Sequence, residues 1–199
     1  MQSRARLYLT RFLAFGVLAM FCVGAAYWSG RHPLIEKSLF MIGLGIAGIG
    51  AAGRAWATSY ISGQKLKRLV TTGPYSLCRN PLYFFSMLLG IGFGFCTETF
   101  TAPLVVAVTM TVLYYYQIRN EEQRLLDAFG NEYALYLAEV PRFFPSYRSF
   151  VEPEEITISP RLLKRGLFGI GFLLLLIGVF EFLQGLHQTE VLPTLFRIY

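Results

Sequence analysis

Long apolar runs broken by short charged stretches set the pattern of this chain. Residues 7–28, 39–57, 82–95, 102–116 and 167–186 are almost wholly apolar. A membrane-spanning helix needs about 20 such residues, within a range of roughly 17 to 25, so each run is a candidate span. The third and fourth reach that length when their polar ends are counted. The connection between them, CTETFTAP, is short. Spans three and four are therefore expected to form an antiparallel hairpin, which returns Gln117 to the membrane face that carries Tyr75 and Tyr83. The fold class is all-α: a polytopic membrane bundle of about five transmembrane helices with short cytosolic helices attached.

The polar stretches carry their own punctuation. Gly73-Pro74 signals a turn, and Pro81 disfavours helix at Asn80 while suiting the first turn of the next helix. After Gln117 the pattern is amphipathic: Glu122, Leu125, Leu126 and Phe129 share a helical face. Gly130 is expected to end that helix and Asn131 to cap another, whose apolar face holds Tyr133, Tyr136, Leu137 and Val140. Pro141 and Pro145 stop it. Two short cytosolic helices packed under the bundle follow. Residues 151–160, VEPEEITISP, read as an acidic linker. Glu181, late in the fifth span, lies either near the outer interface or paired with another helix.

The second span contains GxGxxG twice, at Gly43, Gly45 and Gly48 and again at Gly48, Gly50 and Gly53. A dinucleotide fingerprint follows a strand and opens a helix, whereas these glycines lie inside an apolar helix. Close helix packing is the better reading, with Gly48 and Ala52, or Ala47 and Ala51, as small-residue faces.

Composition agrees with the pattern: 54% of the 199 residues are hydrophobic, 15% are charged, and the mean hydropathy is +0.47. The basic start, MQSRAR, resembles a signal peptide, but the following run is too long and ends in the interface anchors Tyr27 and Trp28. A net charge of +6 sorts by loop. Basic residues crowd the N-terminus, the second loop and the segment after the fourth span; the opposite side has Arg31, Lys37 and Arg197. This predicts a cytoplasmic N-terminus and an external C-terminus, and contact with anionic headgroups rather than nucleic acid. Cys22, Cys78 and Cys96 lack metal or redox spacing and read as small apolar residues, although Arg79 beside Cys78 could lower its pKa. No metal is expected. His32 and His187 read as structural or headgroup contacts.

Two stretches carry unusual chemistry. Residues 69–83, LVTTGPYSLCRNPLY, place Arg79 between Tyr75 and Tyr83 at the mouth of a membrane helix, where polar residues are expensive without a use. Residues 117–145, QIRNEEQRLLDAFGNEYALYLAEVPRFFP, leave the membrane with Arg119, Glu121 and Glu122. The hairpin brings the two stretches together.

At these stretches the chain resembles the isoprenylcysteine carboxyl methyltransferase and phospholipid methyltransferase superfamily of integral membrane methyltransferases. The first looks like its GPY-x3-R-H-P-x-Y motif, and the second like its C-terminal EE, FG, Y, Y, VP series. The match covers roughly residues 54–145. It implies a helical membrane fold that binds S-adenosylmethionine (SAM) on the cytoplasmic side. Residues 1–57 would then form two leading spans, 58–150 the methyltransferase core, and 151–199 a linker with an additional span. By position, the cofactor site would use Lys67, Arg68, Leu69 and Val70, then Tyr75, Asn80, Pro81, Leu82 and Tyr83, and close with Glu121, with Glu122 a near alternative. The chain departs from the family twice. Asn80 stands where the motif has histidine, and Gln117 where many members have an arginine implied to hold substrate. Gln117 is then a substrate-binding position, and Arg119 the cation that could replace the missing one as a catalytic residue. Arg119 is turned about 200° from Gln117, so it reaches the same pocket only if the helix breaks there.

The residue chemistry agrees. A buried Glu121 suits the SAM ammonium, tyrosine faces suit a sulfonium or adenine, and amides at the start of a helix suit a carboxylate. The expected function is SAM-dependent methylation of an amphiphilic membrane substrate, best a prenylcysteine-like carboxylate. The alternatives are a phospholipid amine or thiol acceptor, an NADPH-dependent reductase of related fold, or a non-catalytic membrane partner.

Overall fold

The computed structural model describes residues 24–26, 32–61, 68–156, 158, 160–189, 191 and 196–198. Helix α1, Pro33–Ile61, runs antiparallel to α3, Pro81–Cys96, and the two form the centre of the bundle. A one-turn helix α2, Pro74–Leu77, precedes α3. Helix α4, Thr101–Phe129, returns along α3 and continues beyond it. The short α5, Asn131–Glu139, folds back under the bundle, and α6, Pro160–Gln188, packs against α1. Strands β1, Gly24–Ala26, and β2, Phe196–Ile198, pair in parallel.

Apart from that strand pair the described chain is helical, as the apolar runs predict. Among the described residues, three helices are long and apolar enough to cross a membrane: Pro33–Ile61, Thr101–Phe129 and Gly166–His187. Pro81–Cys96 is a shorter apolar helix. Leu104 on α4 is 64% exposed and Phe168 on α6 is 77% exposed. Apolar surface on this scale is unfavourable in water and marks a lipid-facing wall. The protein is a membrane protein. The expected first span, 7–28, lies largely outside the described residues. Its described part, Gly24–Ala26, is extended rather than helical.

Small residues let α1 and α3 approach. A methyl group at Gly43 would sit 2.6 Å from the Cys96 backbone nitrogen, and one at Gly92 would strike the Ala47 nitrogen. Neither site can hold a larger residue without parting the helices. The buried stripe is Gly43, Ala47, Gly50, Ala51, Gly53 and Ala57. Of the two sequence options, the Ala47 and Ala51 face is therefore correct. Gly48 and Ala52 are exposed, because one step along a helix turns a residue about 100° away.

Three local expectations change. Helix α4 is unbroken for 29 residues, so the first of the two expected short helices is the end of the fourth span. Gly130, at φ 52°, both ends α4 and precedes α5, and Asn131 is the first residue of α5 rather than its cap. The start of the expected linker is strapped down: Val151 accepts a hydrogen bond from the Gly73 amide (2.7 Å) and its own amide bonds Ser76 Oγ (3.1 Å). The Tyr60 hydroxyl donates to Glu152 (3.0 Å).

Candidate active site

The 69–83 stretch is held in a fixed shape by the segment that follows α5. The Arg79 amide donates to the Pro141 carbonyl (2.9 Å), and the Ser146 amide to Leu77 (2.9 Å). Asn80 is 8% exposed and its side-chain amide donates to the Arg142 carbonyl (2.9 Å). Tyr136 reaches up from α5 and donates to the Tyr75 carbonyl (2.6 Å). Gly73, at φ 60°, lies against the Tyr60 ring where a side chain would not fit. The two polar stretches therefore meet, as the hairpin predicts.

Glu121 and Glu122 are neighbours in α4 and point in different directions. The Tyr83 hydroxyl donates to Glu121 Oε2 at 2.7 Å, a short, charge-assisted bond. Gln117, one turn earlier on the same face, approaches the same hydroxyl. Tyr114 packs on Tyr83 with ring centroids 4.8 Å apart. Behind it, Arg54 donates to Ser86 Oγ (2.6 Å), joining α1 to α3. Glu122 instead lies between Arg142 (2.9 Å) and Arg79 (3.5 Å), with its side chain 17% exposed.

That second face opens on a cavity of about 370 Å³ lined by Arg79, Tyr115, Arg119, Glu122, Gln123, Leu126, Leu137 and Arg142. Arg119 thus joins two other arginines. It does not replace an arginine at Gln117, because the unbroken helix keeps the two residues on different faces.

The other expected site residues divide in the same way. Val70, Tyr75 and Leu82 gather with Trp56, Ala57 and Tyr60 in one apolar cluster. Leu69 belongs to another, with Tyr133, Tyr136 and Val140. Arg68 is exposed. Pro81 is buried at the first position of α3. Lys67 lies outside the described residues. The amides of Tyr83 and Phe84 bond the Asn80 carbonyl, so Leu82 carries the first-turn amide that this carbonyl does not engage.

Burial sets the ionisation of the loop. It pushes the hydroxyls of Tyr75 and Tyr136 well above the usual tyrosine range, and Tyr133 up to about 12. Burial also raises the Cys78 thiol to about 11, against a small opposing effect of the Asn80 backbone. A raised thiol is a poor nucleophile, so Arg79 does not activate Cys78.

The Tyr75 hydroxyl is buried and lacks a hydrogen-bond partner among the described residues, while lying close enough to Glu121 and Tyr83 to feel their charges. An orphaned buried hydroxyl costs about 1–3 kcal/mol. Beside a partly buried carboxylate and an apolar aromatic cluster, it fits a ligand with a cationic amine and a flat ring.

Residues 34–132 match the family model of phospholipid methyltransferases. Over 192 residues, 96% of this chain and 87% of the relative, the chain is 34% identical to the cobalt-zinc-cadmium resistance protein CzcN of Cupriavidus metallidurans. The chain belongs to the phospholipid methyltransferase family. It is also 34% identical to the nickel-cobalt-cadmium resistance protein NccN of Alcaligenes xylosoxydans xylosoxydans, over 74% of this chain and 68% of that one. No solved structure matches it. Family membership points to a membrane methyltransferase, and the family model spans α1, α3, α4 and the Tyr83–Glu121 contact.

Arg142, Tyr114 and Ser86 were not among the expected site residues, and Arg79, singled out between Tyr75 and Tyr83, was assigned no role there. Tyr114 was accessible to helical spacing, since it lies three residues before Gln117 and seven before Glu121. Arg142 carried no local signal beyond its charge.

Proposed function

We propose that the protein is a SAM-dependent methyltransferase of the membrane that acts on an amphiphile bearing a carboxylate, of the prenylcysteine type. The observation that carries the reading is the Tyr83–Glu121 bond beside the orphaned Tyr75 hydroxyl. In this reading Glu121 takes the ammonium of the cofactor, oriented by Tyr83. The Tyr75 cluster takes the adenine, and the Leu82 amide a carboxylate oxygen. When bound, SAM supplies a sulfonium methyl group for in-line transfer, which requires mainly positioning.

The second face bears on the acceptor. Arg79, Arg119 and Arg142 form a cationic wall that suits an anionic acceptor entering from the bilayer. An amine acceptor would need a base. Glu121 is engaged by Tyr83 and Glu122 by two arginines, whereas a carboxylate acceptor needs no base. The family name favours a phospholipid, whose phosphate the same arginines would accept, so a phospholipid amine is the second reading.

CzcN and NccN are both named for metal resistance, and this chain would serve the same end. Methylation of an envelope amphiphile would be this chain's contribution, and loss of the chain should sensitise cells to cadmium or zinc salts.

The test titrates SAM and NADPH into purified protein, then supplies labelled SAM with a prenylcysteine analogue or a phosphatidylethanolamine. SAM binding and labelled prenylcysteine are expected. NADPH binding without SAM binding would make the protein a reductase, and binding of neither would make it a non-catalytic partner. Label on the phosphatidylethanolamine alone would establish the second reading.

A further inference from the structure

The opposite end of the bundle holds a second polar cluster, separate from the Tyr83–Glu121 region. Glu36 comes from the first turn of α1, Glu98 from the α3–α4 connection, and Glu181 from α6. Glu36 is 7% exposed and Glu98 is 4% exposed. The connection that presents Glu98 is firmly built. Thr97 Oγ1 donates to the Gly94 carbonyl (2.7 Å), the Thr97 and Thr99 hydroxyls are 2.9 Å apart, and the Ala102 amide reaches Thr99 (3.3 Å). Between the two threonines, Glu98 adopts a left-handed backbone at φ 58°, a conformation uncommon outside glycine.

Glu98 meets Glu36 through a side-chain hydrogen bond, yet its Oε2 is buried without a partner. It lines a cavity of about 150 Å³ together with Glu181, Lys37, Phe40 and Met41. One turn beyond Glu181, Gln184 is 4% exposed and its Oε1 also lacks a partner. Neither acceptor has a donor among the described residues, and Glu98 lines the acidic cavity, so a donor from outside would satisfy it there. Lys37 lines the cavity and forms no ion pair with Glu98 or Glu181.

The donor's chemistry follows from the walls. Among the described residues, no three histidine, cysteine or acidic side chains converge as metal ligands. Besides the carboxylates, the walls are the Lys37 side chain, an aromatic ring and a thioether; the carboxylates outnumber the one lysine, and the ring and thioether suit the stem of an alkylammonium better than a strongly hydrated ion. The volume equals that of about five waters, enough for an ammonium on a two- or three-carbon stem.

We propose that this cavity is a binding site for a small organic ammonium group, either an ethanolamine-type lipid headgroup or a free amine of the same kind. The ammonium donates to Glu98 Oε2 and Glu181, with Phe40 against its carbon stem.

The test uses the full chain in nanodiscs of phosphatidylglycerol alone, probed separately with ethanolamine, lysophosphatidylethanolamine and zinc chloride. Binding is read by saturation-transfer NMR for the amines and by calorimetry for zinc. Binding of at least one amine is expected, weakened at least tenfold in Glu98→Gln and in Glu181→Gln. Lysophosphatidylethanolamine binding alone assigns the site to a lipid headgroup; binding of ethanolamine as well assigns it to the amine itself. Equal amine binding in wild type and both variants overturns the proposal. So does the absence of amine binding, or zinc binding lost in the variants without any amine binding. Should Glu98→Gln fail to give monodisperse protein, the exposed Glu181→Gln decides. None of these outcomes depends on methyl transfer.

Discussion

Where α3 begins, Glu121 accepts a hydrogen bond from Tyr83, and Glu122 is held between Arg79 and Arg142. Where α3 finishes, Glu36, Glu98 and Glu181 face one another, and Lys37 beside them forms no ion pair with Glu98 or Glu181. Both ends carry glutamates at the edge of an apolar bundle, where an uncompensated charge is costly. The fold compensates the first set with its own arginines and tyrosine. At the second, Glu98 Oε2 and Gln184 Oε1 have no hydrogen-bond partner among the described residues. The first arrangement orients charge for chemistry at one rim; the second leaves space for a cation from outside the chain.

The severest way to break this comparison is to part the two helices that carry both ends. In Gly50→Leu the new side chain would meet the Leu89 backbone. Overpacking of this kind costs about 1–3 kcal/mol or more, and both ends should fail together, seen as loss of monodisperse protein in size-exclusion chromatography.

Next in size is Glu121→Gln, which acts on one end alone. Loss of a charge-assisted bond of about 1.5–3 kcal/mol should weaken SAM binding roughly tenfold to hundredfold, measured by calorimetry, with the fold intact by circular dichroism. Glu122→Gln sharpens the contrast within that end. Because Glu122 contacts Arg79 and Arg142, its loss should lower thermal stability by about 1–3 kcal/mol and leave SAM affinity within about threefold. A Glu122 variant that loses SAM binding as Glu121→Gln does would reverse the assigned roles.

Tyr83→Phe removes the hydroxyl that orients Glu121. A hydrogen bond of about 0.5–1.5 kcal/mol predicts a threefold to tenfold loss of SAM affinity.

The smallest effect concerns pH at the far end. Burial, then the charges of Glu36 and Glu181, raise the Glu98 carboxyl to about 8 from an ordinary 4.5. Between those values the native state binds a proton that the unfolded chain has released, so stability falls as pH rises through the window. The melting temperature should drift down by a few degrees from about pH 5 to pH 9, and Glu98→Gln should flatten that drift. Lys37 on α1 and Cys96 on α3 face the same region and remain unchanged in the variant.

Much of the first end was legible in the sequence. Pro81 opens α3 where a proline is tolerated, and the short connection after Cys96 forces a hairpin. Tyr83 and Glu121 therefore arrive on one membrane face. The second end was not legible: Glu36, Glu98 and Glu181 are separated by long apolar runs, and Glu181 alone had two open readings. In the structure Glu181 is exposed near the end of α6 and faces other carboxylates, with no ion pair to Lys37 beside it, so among the described residues it is not paired with a cation of another helix.

The sequence by itself determined that 39–57, 82–95, 102–116 and 167–186 are apolar helices, that α3 and α4 run antiparallel, and that two polar stretches share one rim. Those are consequences of hydrophobic period and turn chemistry, which are local. The tertiary structure decided which face of each helix is used. Glu121 and Glu122, like Ala47 and Gly48, differ by one residue and hence by about 100° around a helix. The packing of Tyr114 on Tyr83 rolls α4 so that Glu121 meets the Tyr75 loop and Glu122 meets Arg142. The close approach of Gly43 and Gly92 fixes which face α1 turns to α3. Rotation about a helix axis is set by neighbours distant in the chain, so no local pattern in the sequence encodes it.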